Sequence, residues 1–468
     1  MSLSREFAGF VAGLRYEDLP AAVVDRAKGV TLQALSSALV AHDMSASAQA
    51  LALMQDEEKG AGGSATVLCH GAKLTKAAAA FVNAETIFAG GKWDTFRMLT
   101  HPGTAILPAA LAAAEATGAS GRAFLAGVAA GYEVMERMAS EWIPTVMARG
   151  FHAGPVFGIF GAAVAAAKIE GFDAAKVHDA IAQCVNLAAG NLEGIRSGGR
   201  SLREGGAVRN ALLAVALARH GTPGGDTVLE GDAGFYHAYA GSNVGELRYS
   251  FTGRNHAELA KITDGLGRNW MFLETLYRIY STAGYNIAHV DVTAALCREN
   301  GISHENIERI EAVVNWLETE YPSPLFPIPS RGLDAGPGVG STPYFTAYGA
   351  VAGSYPLLRG GAPGPGESDP PEVLDLMQRV TLIPSVKRTL FGPRITIFTK
   401  DGKSYTKEGT GREFIFDFEG LVRRMRPIAT GLAISETQYG RLIDSCRHLD
   451  TLDRAADTLI ALTIPPPV

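Results

Sequence analysis

The sequence predicts a mainly α fold: a large all-helical domain that carries an inserted, smaller α+β domain. Three observations carry that prediction. Over residues 5–265 apolar side chains recur at helical spacing with few interruptions. After Gly265 that spacing gives way to β-branched alternation, a hairpin signal and loops rich in Pro and Gly. Past residue 408 helical spacing returns, so the middle stretch reads as an insertion. The predicted division is 1–266 for the first part of the helical domain, 267–408 for the α+β domain, and 409–468 for helices that return to the first.

Taken in order, Leu19-Pro20 leads into Val23, Val24, Ala27, Val30, Ala34, Leu35 and Leu39, one face of a helix. Phe124, Leu125, Val128, Tyr132, Met135 and Met138 repeat the spacing. Asp173 is the N-cap of a segment that carries Val177, Ile181, Cys184 and Val185 on one side. Gly158, Gly161, Ala162, Ala165 and Ala166 form a small-residue ridge, which lets two helices approach closely. Each stripe is read as core. In the middle region, Ile307 to Trp316 is β-branched and partly alternating, as a strand is. Arg394–Lys400 and Lys403–Lys407 flank Asp401-Gly402, a strong hairpin signal. Gly360 to Gly366 is a Pro/Gly loop, and Ser435 to Cys446 is helical again, with Leu442 and Ile443 inward.

Composition narrows the function classes. The chain has 468 residues, 47% hydrophobic and 19% charged, enough to bury a large core in two or more domains. No run reaches the roughly 18–20 apolar residues of a membrane span. Met1 to Phe7 lacks the basic-then-apolar order of a secretory signal, so a cytoplasmic location is expected. Lys and Arg number 42 against 48 Asp and Glu, a net charge of −6, which argues against nucleic acid as a partner. Cys69, Cys184, Cys297 and Cys446 lie far apart with no C-x-x-C pair, which suggests neither a zinc site nor a disulfide framework.

Four polar clusters interrupt this apolar background. Gly91-Lys92-Trp93-Asp94-Thr95-Phe96-Arg97-Met98-Leu99-Thr100-His101-Pro102-Gly103 gathers Lys, Asp, Arg and His in a loop just before an apolar, Ala-rich helix. A loop of this kind is where an enzyme places acid–base groups. Arg149-Gly150-Phe151-His152-Ala153-Gly154-Pro155 lies between two more apolar helices. Gly194 to Arg209 holds Arg196, Arg200, Arg203 and Arg209 in a Gly-rich stretch that opens a helix, a cradle for anions. No G-x-G-x-x-G after a strand is present, which weighs against a dinucleotide. The fourth cluster, Tyr277 to His289 with Arg278, Tyr280 and Tyr285, is too polar and aromatic for a plain core helix and gives a weaker signal.

Several of these residues, in this order, resemble the MmgE/PrpD family. They are Val82-Asn83, Trp93-Asp94-Thr95 with Thr100-His101-Pro102-Gly103, and Ala130-Gly131-Tyr132-Glu133-Val134. Gly150-Phe151-His152, Phe157 to Ala163, Leu229 to Phe235 and Thr342-Pro343-Tyr344 continue the match across nearly the whole chain. The resemblance implies a helical domain with an inserted α+β domain, a site in the cleft between them and a homodimer. It also implies cofactor-free chemistry on polycarboxylates, with no metal. The family's activities include 2-methylcitrate dehydratase, cis-aconitate decarboxylase and iminodisuccinate epimerase.

Departures from the family pattern choose among these. The acidic D-x-D-D-T loop of its dehydratases and decarboxylases begins here at Gly91, with Lys92 and Trp93 before Asp94. On an ungapped alignment their Lys-x-x-His falls on Arg200 and Arg203, and a later Lys and Pro fall on Tyr277 and Tyr280. The resemblance therefore points most to the epimerase, acting on an iminodisuccinate-like polycarboxylate. The lyases named above and a catalytically silent carboxylate-binding relative are the alternatives. Epimerisation beside a carboxylate needs a proton removed on one face and returned on the other, with cations to hold the enediolate. Lys92, Asp94, His101 and His152 are the expected catalytic groups, and Arg149, Arg200 and Arg203 the expected carboxylate ligands. The Lys92–His101 loop is expected to face the interdomain cleft near His152.

Overall fold

Alanine, glycine and aliphatic residues at helical spacing produce what they predict, a succession of helices through the first half of the chain. The structure is a computed structural model that describes residues 1–98, 100–196, 202–280, 283–320, 342–354, 370–429 and 431–466. For 195, 196, 202, 203 and 320 it describes the backbone only. The chain divides into two compact units. One comprises Met1–Arg248, Asn255–Ile279 and Phe416–Val468; the other comprises Tyr249–Arg254 and Tyr280–Ile415.

The first unit opens with α1 (Leu3–Gly13), α2 (Ala21–Ala41) and α3 (Ser45–Glu57). A two-residue ribbon, β1 (Ala65–Thr66) with β2 (Lys73–Leu74), leads into α4 (Lys76–Ala89). Strand β3 (Asp94–Thr95) precedes α5 (Pro102–Thr117), α6 (Gly121–Ala139) and α7 (Ile143–Ala148). Then come α8 (Ala153–Ile169), α9 (Ala174–Leu187), α10 (Leu202–Arg219) and α11 (Phe235–Ala240). The centre is α8, buried along almost its whole length and packed by α5, α6, α9 and α10. The small-residue ridge explains how. A Cβ built on Gly131 would stand 2.6 Å from the Gly161 carbonyl oxygen, and one on Gly161 2.9 Å from that of Gly131. The two helix backbones touch where any side chain would hold them apart. Asp173 caps α9 as its sequence predicts, accepting from Lys176 N–H at 2.9 Å. Among the described residues no helix is long and apolar enough to cross a membrane.

Strand β4 (Leu276–Tyr277) pairs antiparallel with β3, Asp94 opposite Tyr277 and Thr95 opposite Leu276. That pairing keeps residues through Ile279 with the helical unit, past the 266/267 division read from composition. Tyr277 is a packing residue. Its ring is fully buried, stacks near Phe416 at 6.3 Å and lies under the Arg26 guanidinium. A Cβ on Gly29 of α2 would collide with its hydroxyl at 2.0 Å.

The second unit contains α12 (Gly284–Asn300), β5 (Ile307–Asn315), α13 (Trp316–Glu320), α14 (Thr342–Ala352) and α15 (Pro371–Met377). Strands β6 (Val380–Ser385), β7 (Arg394–Thr399) and β8 (Ser404–Glu408) complete a four-stranded sheet of order β6-β5-β7-β8. Strand β5 pairs parallel with β6 and antiparallel with β7, with Ile310 opposite both Val380 and Ile397. The β7–β8 hairpin turns at Asp401-Gly402, where Gly402 takes φ 82°, the left-handed region such turns require. Helices α16 (Phe418–Met425), α17 (Glu436–Arg447) and α18 (Ala455–Ala461) belong to the first unit. Leu442 and Ile443 are buried on α17, and Ser435 caps it through Gln438 N–H.

Candidate active site

The chain leaves α4 by a turn that only glycine permits. A Cβ on Gly90 would stand 2.0 Å from the Ser37 carbonyl oxygen, and Gly91 adopts φ 69°. Lys92 N–H then donates to Ser37 Oγ at 3.2 Å. Trp93 is locked, its Nε1–H donating to Phe88 O at 2.9 Å while its ring stacks on Phe88 at 4.5 Å. The Trp93 carbonyl accepts from Arg278 N–H at 2.8 Å and from Gln33 Nε2 at 2.6 Å, which anchors the loop to β4 and α2. The sequence of this loop is thus pinned on both sides before it reaches α5.

Asp94 lies under the N-terminus of α5. Both its carboxylate oxygens are 3.0 Å from Gly103 N–H, and the Tyr132 hydroxyl donates to Oδ2. An N-terminal amide is a natural partner for a carboxylate. Position 103 must be glycine, because a Cβ there would be 2.7 Å from the Tyr132 hydroxyl and 3.0 Å from both oxygens of Asp94. Burial pushes the Asp94 carboxyl up to about 6, against the opposing hydrogen bonds from Tyr132 and Gly103. Lys92 is only 3% exposed, and burial, with the Arg278 charge second, pushes its ammonium down to about 8.

His101 is the N-cap residue of α5. Its Nδ1 lies 3.0 Å from the Asp94 carbonyl oxygen and 3.2 Å from Thr95 Oγ1, and its ring is 4.4 Å from that of Trp93. A carbonyl oxygen only accepts, so Nδ1 carries the proton and the lone pair of the neutral ring is at Nε2. His152 is the N-cap residue of α8 and has the opposite arrangement. Its Nδ1 accepts from Gly154 N–H at 3.2 Å, so its neutral ring carries the proton at Nε2. The His152 amide is held by Gly190 O at 2.9 Å, and Leu192 N–H reaches Gly150 O at 2.8 Å.

Glu204, 2% exposed on α10, brings the two helix starts together. Its Oε2 is 3.5 Å from Thr104 Oγ1 on α5, whose hydroxyl also donates to His101 O at 2.7 Å. On the α8 side, a Cβ on Gly154 would be 3.0 Å from Glu204 Oε1 and 3.0 Å from His152 Cε1. One carboxylate therefore spans the N-termini of the helices that carry His101 and His152, where backbone dipoles favour negative charge. The adjacent Gly205 N–H donates to Glu85 Oε1 at 2.6 Å, which fixes the first turn of α10 against α4.

The structure thus brings Lys92, Asp94, His101 and His152 into one neighbourhood of the helical unit. Arg149 is placed differently. It is exposed, its guanidinium donates to Ala238 O at 3.2 Å, and no described contact joins it to the other three loops. Arg200 lies outside the described residues, and Arg203 is described only as backbone of α10. Among the described residues no group of three His, Cys, Asp or Glu is arranged to hold a metal. Sequence reasoning misses Tyr132, Glu204 and Arg278. Tyr132 sits in a stripe where periodicity predicts packing alone; its hydroxyl and its place in the Ala130–Val134 motif of the family resemblance are the signals for it. Glu204 is overshadowed by the arginines around it.

Comparison with known proteins bears on this site. The cis-aconitate decarboxylase-like protein oryM of Aspergillus oryzae is 26% identical over 483 residues, covering 98% of this chain and 94% of that protein. The cis-aconitate decarboxylase of Aspergillus terreus is 26% identical over 485 residues, with 99% and 96% covered. The human cis-aconitate decarboxylase is 30% identical over 247 residues, 51% of this chain and 50% of that one. Residues 5–247, the stretch that contains Lys92, Asp94, His101, His152 and Glu204, match the MmgE/PrpD N-terminal domain. The chain belongs to the MmgE/PrpD family.

Proposed function

We propose that the protein is a cofactor-independent lyase that decarboxylates a small polycarboxylate of the cis-aconitate type. The observation that carries this reading is the pairing of opposite imidazole tautomers at His101 and His152, set at two helix starts bridged by Glu204. The relatives named as cis-aconitate decarboxylases support the lyase class over the epimerase that the loop substitutions favour.

In such a reaction the bond to the departing carboxylate breaks and its electron pair forms a new C=C bond. The displaced π pair moves to a carbon beside a second carboxylate, where it is held as an enediolate until protonated. His152 serves as a fixed donor. With Nδ1 accepting from Gly154 N–H, the ring donates from Nε2, and that N–H is the donor for the developing oxyanion. His101 serves as the proton carrier. It gives the carbon a proton from Nε2 as the imidazolium and regains one from solvent, and its Nδ1–H bond to the Asp94 carbonyl stays intact throughout. Asp94 and Tyr132 are positioning residues that fix the N-terminus of α5 and, with it, the His101 ring.

Epimerisation is the second reading, and Lys92 favours it. An ammonium held at about 8 supplies a second group able to exchange protons near neutral pH, as a two-face proton transfer demands. The test is carbon dioxide release from cis-aconitate by the purified protein, with His101→Gln as control. Release by the wild type and its loss in the variant support the lyase; a protein that releases none from any polycarboxylate is not a decarboxylase.

A further inference from the structure

We infer that the Arg97–Glu274 ion pair is a latch that fixes the His101 ring, which makes Arg97 and Glu274 positioning residues for the proposed proton transfer. The inference rests on the role proposed for His101 and adds the contact that holds its loop in register.

Arg97 is the charged residue of the Gly91–Gly103 loop that the site leaves unused. Its backbone takes φ 53°, a left-handed conformation that a residue with a Cβ adopts only at a cost. The neighbouring residues show what the turn achieves. Phe96 N–H donates to Thr100 O at 3.2 Å and Thr100 Oγ1–H to Phe96 O, so the two residues pair and the chain reverses from Arg97 onward. The reversal carries His101 back against β3, where its Nδ1 meets the Asp94 carbonyl at 3.0 Å and Thr95 Oγ1 at 3.2 Å. A ring that takes both contacts from the strand before the turn is placed only if the turn itself is fixed.

The Arg97 side chain supplies that fixation. Its guanidinium reaches Glu274 Oε2 at 2.7 Å and lies over the buried Phe96 ring, 5.1 Å from the centroid. The anchor at the far end is firm. Glu274 closes the short helical turn Met271–Glu274, in which Phe272 N–H donates to the buried Glu133 at 3.1 Å. The next residue, Thr275, donates its hydroxyl to the buried Glu136. Both carboxyl groups belong to α6, the helix whose Tyr132 holds Asp94. One helix is therefore the reference for β3, for the turn and for His101. The two side chains of the ion pair are 29% and 41% exposed, a setting in which such pairs contribute little to global stability. The effect of the latch is local, on where the turn sits.

Two readouts test it, and the first needs no substrate. With isotope-labelled histidine and at a pH where the ring is neutral, NMR of the His101 imidazole reports which nitrogen carries the proton; the signals are assigned by their loss in His101→Gln. The wild type is expected to show one tautomer, protonated at Nδ1. Arg97→Met, Arg97→Gly and Glu274→Gln should show both tautomers in exchange, and Arg97→Lys should restore most of the Nδ1–H form. In those first three variants kcat for carbon dioxide release from cis-aconitate should fall about tenfold with KM nearly unchanged, because a misplaced ring acts on the chemical step. Arg97→Met combined with Glu274→Gln should be no worse than either alone. Glu274→Gln keeps the side-chain shape, so a folding defect in Arg97→Met leaves the test intact. Arg97→Gly separates the latch from the backbone, because glycine takes the left-handed turn freely. A glycine variant with the wild-type tautomer and kcat overturns the inference, as does a wild-type tautomer in Glu274→Gln. Mixed tautomers in the variants of a protein that releases no carbon dioxide uphold the latch and reject the lyase reading.

Discussion

His101 and His152 present the same ring nitrogen in opposite states. A carbonyl oxygen 3.0 Å from His101 Nδ1 places a proton on that nitrogen, and an amide N–H 3.2 Å from His152 Nδ1 makes that nitrogen the acceptor. Each imidazole is an N-cap residue, of α5 and α8 respectively, so backbone geometry assigns the two roles. His101→Gln should lower turnover by at least about 10²-fold, the low end for a lost acid–base group. His152→Gln should cost about 10²–10³-fold, as loss of an oxyanion donor does. Both should melt close to wild type, as thermal unfolding would record. Near-normal turnover in either variant removes that histidine from the mechanism.

Glu204→Gln keeps the shape of the side chain but removes the charge between two helix starts. Stability should fall by about 1 kcal/mol, typical of a charge at a helix end. Turnover should drop at least tenfold with little change in KM, because the two histidines lose register while the substrate's carboxylate contacts persist. Equal changes in kcat and KM would indicate that Glu204 meets the substrate directly.

Gly103→Ala tests the Asp94 clamp. The new methyl would press on the Tyr132 hydroxyl and on both oxygens of Asp94, at 2.7 and 3.0 Å. Overpacking of this kind costs about 1–3 kcal/mol, and the displaced N-cap should carry His101 with it. Denaturant unfolding together with turnover would record both losses; a variant as stable and active as wild type would mean the clamp is loose.

Asp94 makes stability depend on pH in a direction opposite to a salt-bridged carboxylate. Its folded value is raised from 3.8 to about 6, so the folded protein keeps a proton that the unfolded chain has lost. The contribution is fully present below about 3.8 and is lost as pH rises through about 6. At 1.36 kcal/mol per pKa unit this is on the order of 3 kcal/mol. Relative to Asp94→Asn, wild-type stability should therefore decline between pH 4 and 6 and level off above. A difference that grows with pH over that window would show that Asp94 is held as a stabilised anion.

Much of the fold is legible in the sequence because its stripes are long. Val23 to Leu39, Phe124 to Met138 and the Gly158–Ala166 ridge each repeat often enough to define a face, and Asp401-Gly402 defines its turn alone. The site is legible only in part. Lys92, Asp94, His101 and His152 stand out as polar groups in apolar surroundings. Arg278 and Trp93 meet through two-residue strands, too short to show alternation, so nothing local predicts their contact. Glu204 acquires meaning only from two helix ends that it does not adjoin in sequence. Arg149 shows the reverse, a charge beside a catalytic candidate that tertiary structure turns toward Ala238.

The most direct test of the lyase assignment is the reaction of the wild-type enzyme in deuterated water with cis-aconitate and with iminodisuccinate, followed by NMR and mass analysis. The lyase account predicts release of one carbon dioxide from cis-aconitate and a product with one deuterium on the carbon beside a remaining carboxylate. Deuterium exchange and inversion in iminodisuccinate with every carbon retained, and no carbon dioxide from cis-aconitate, would contradict it.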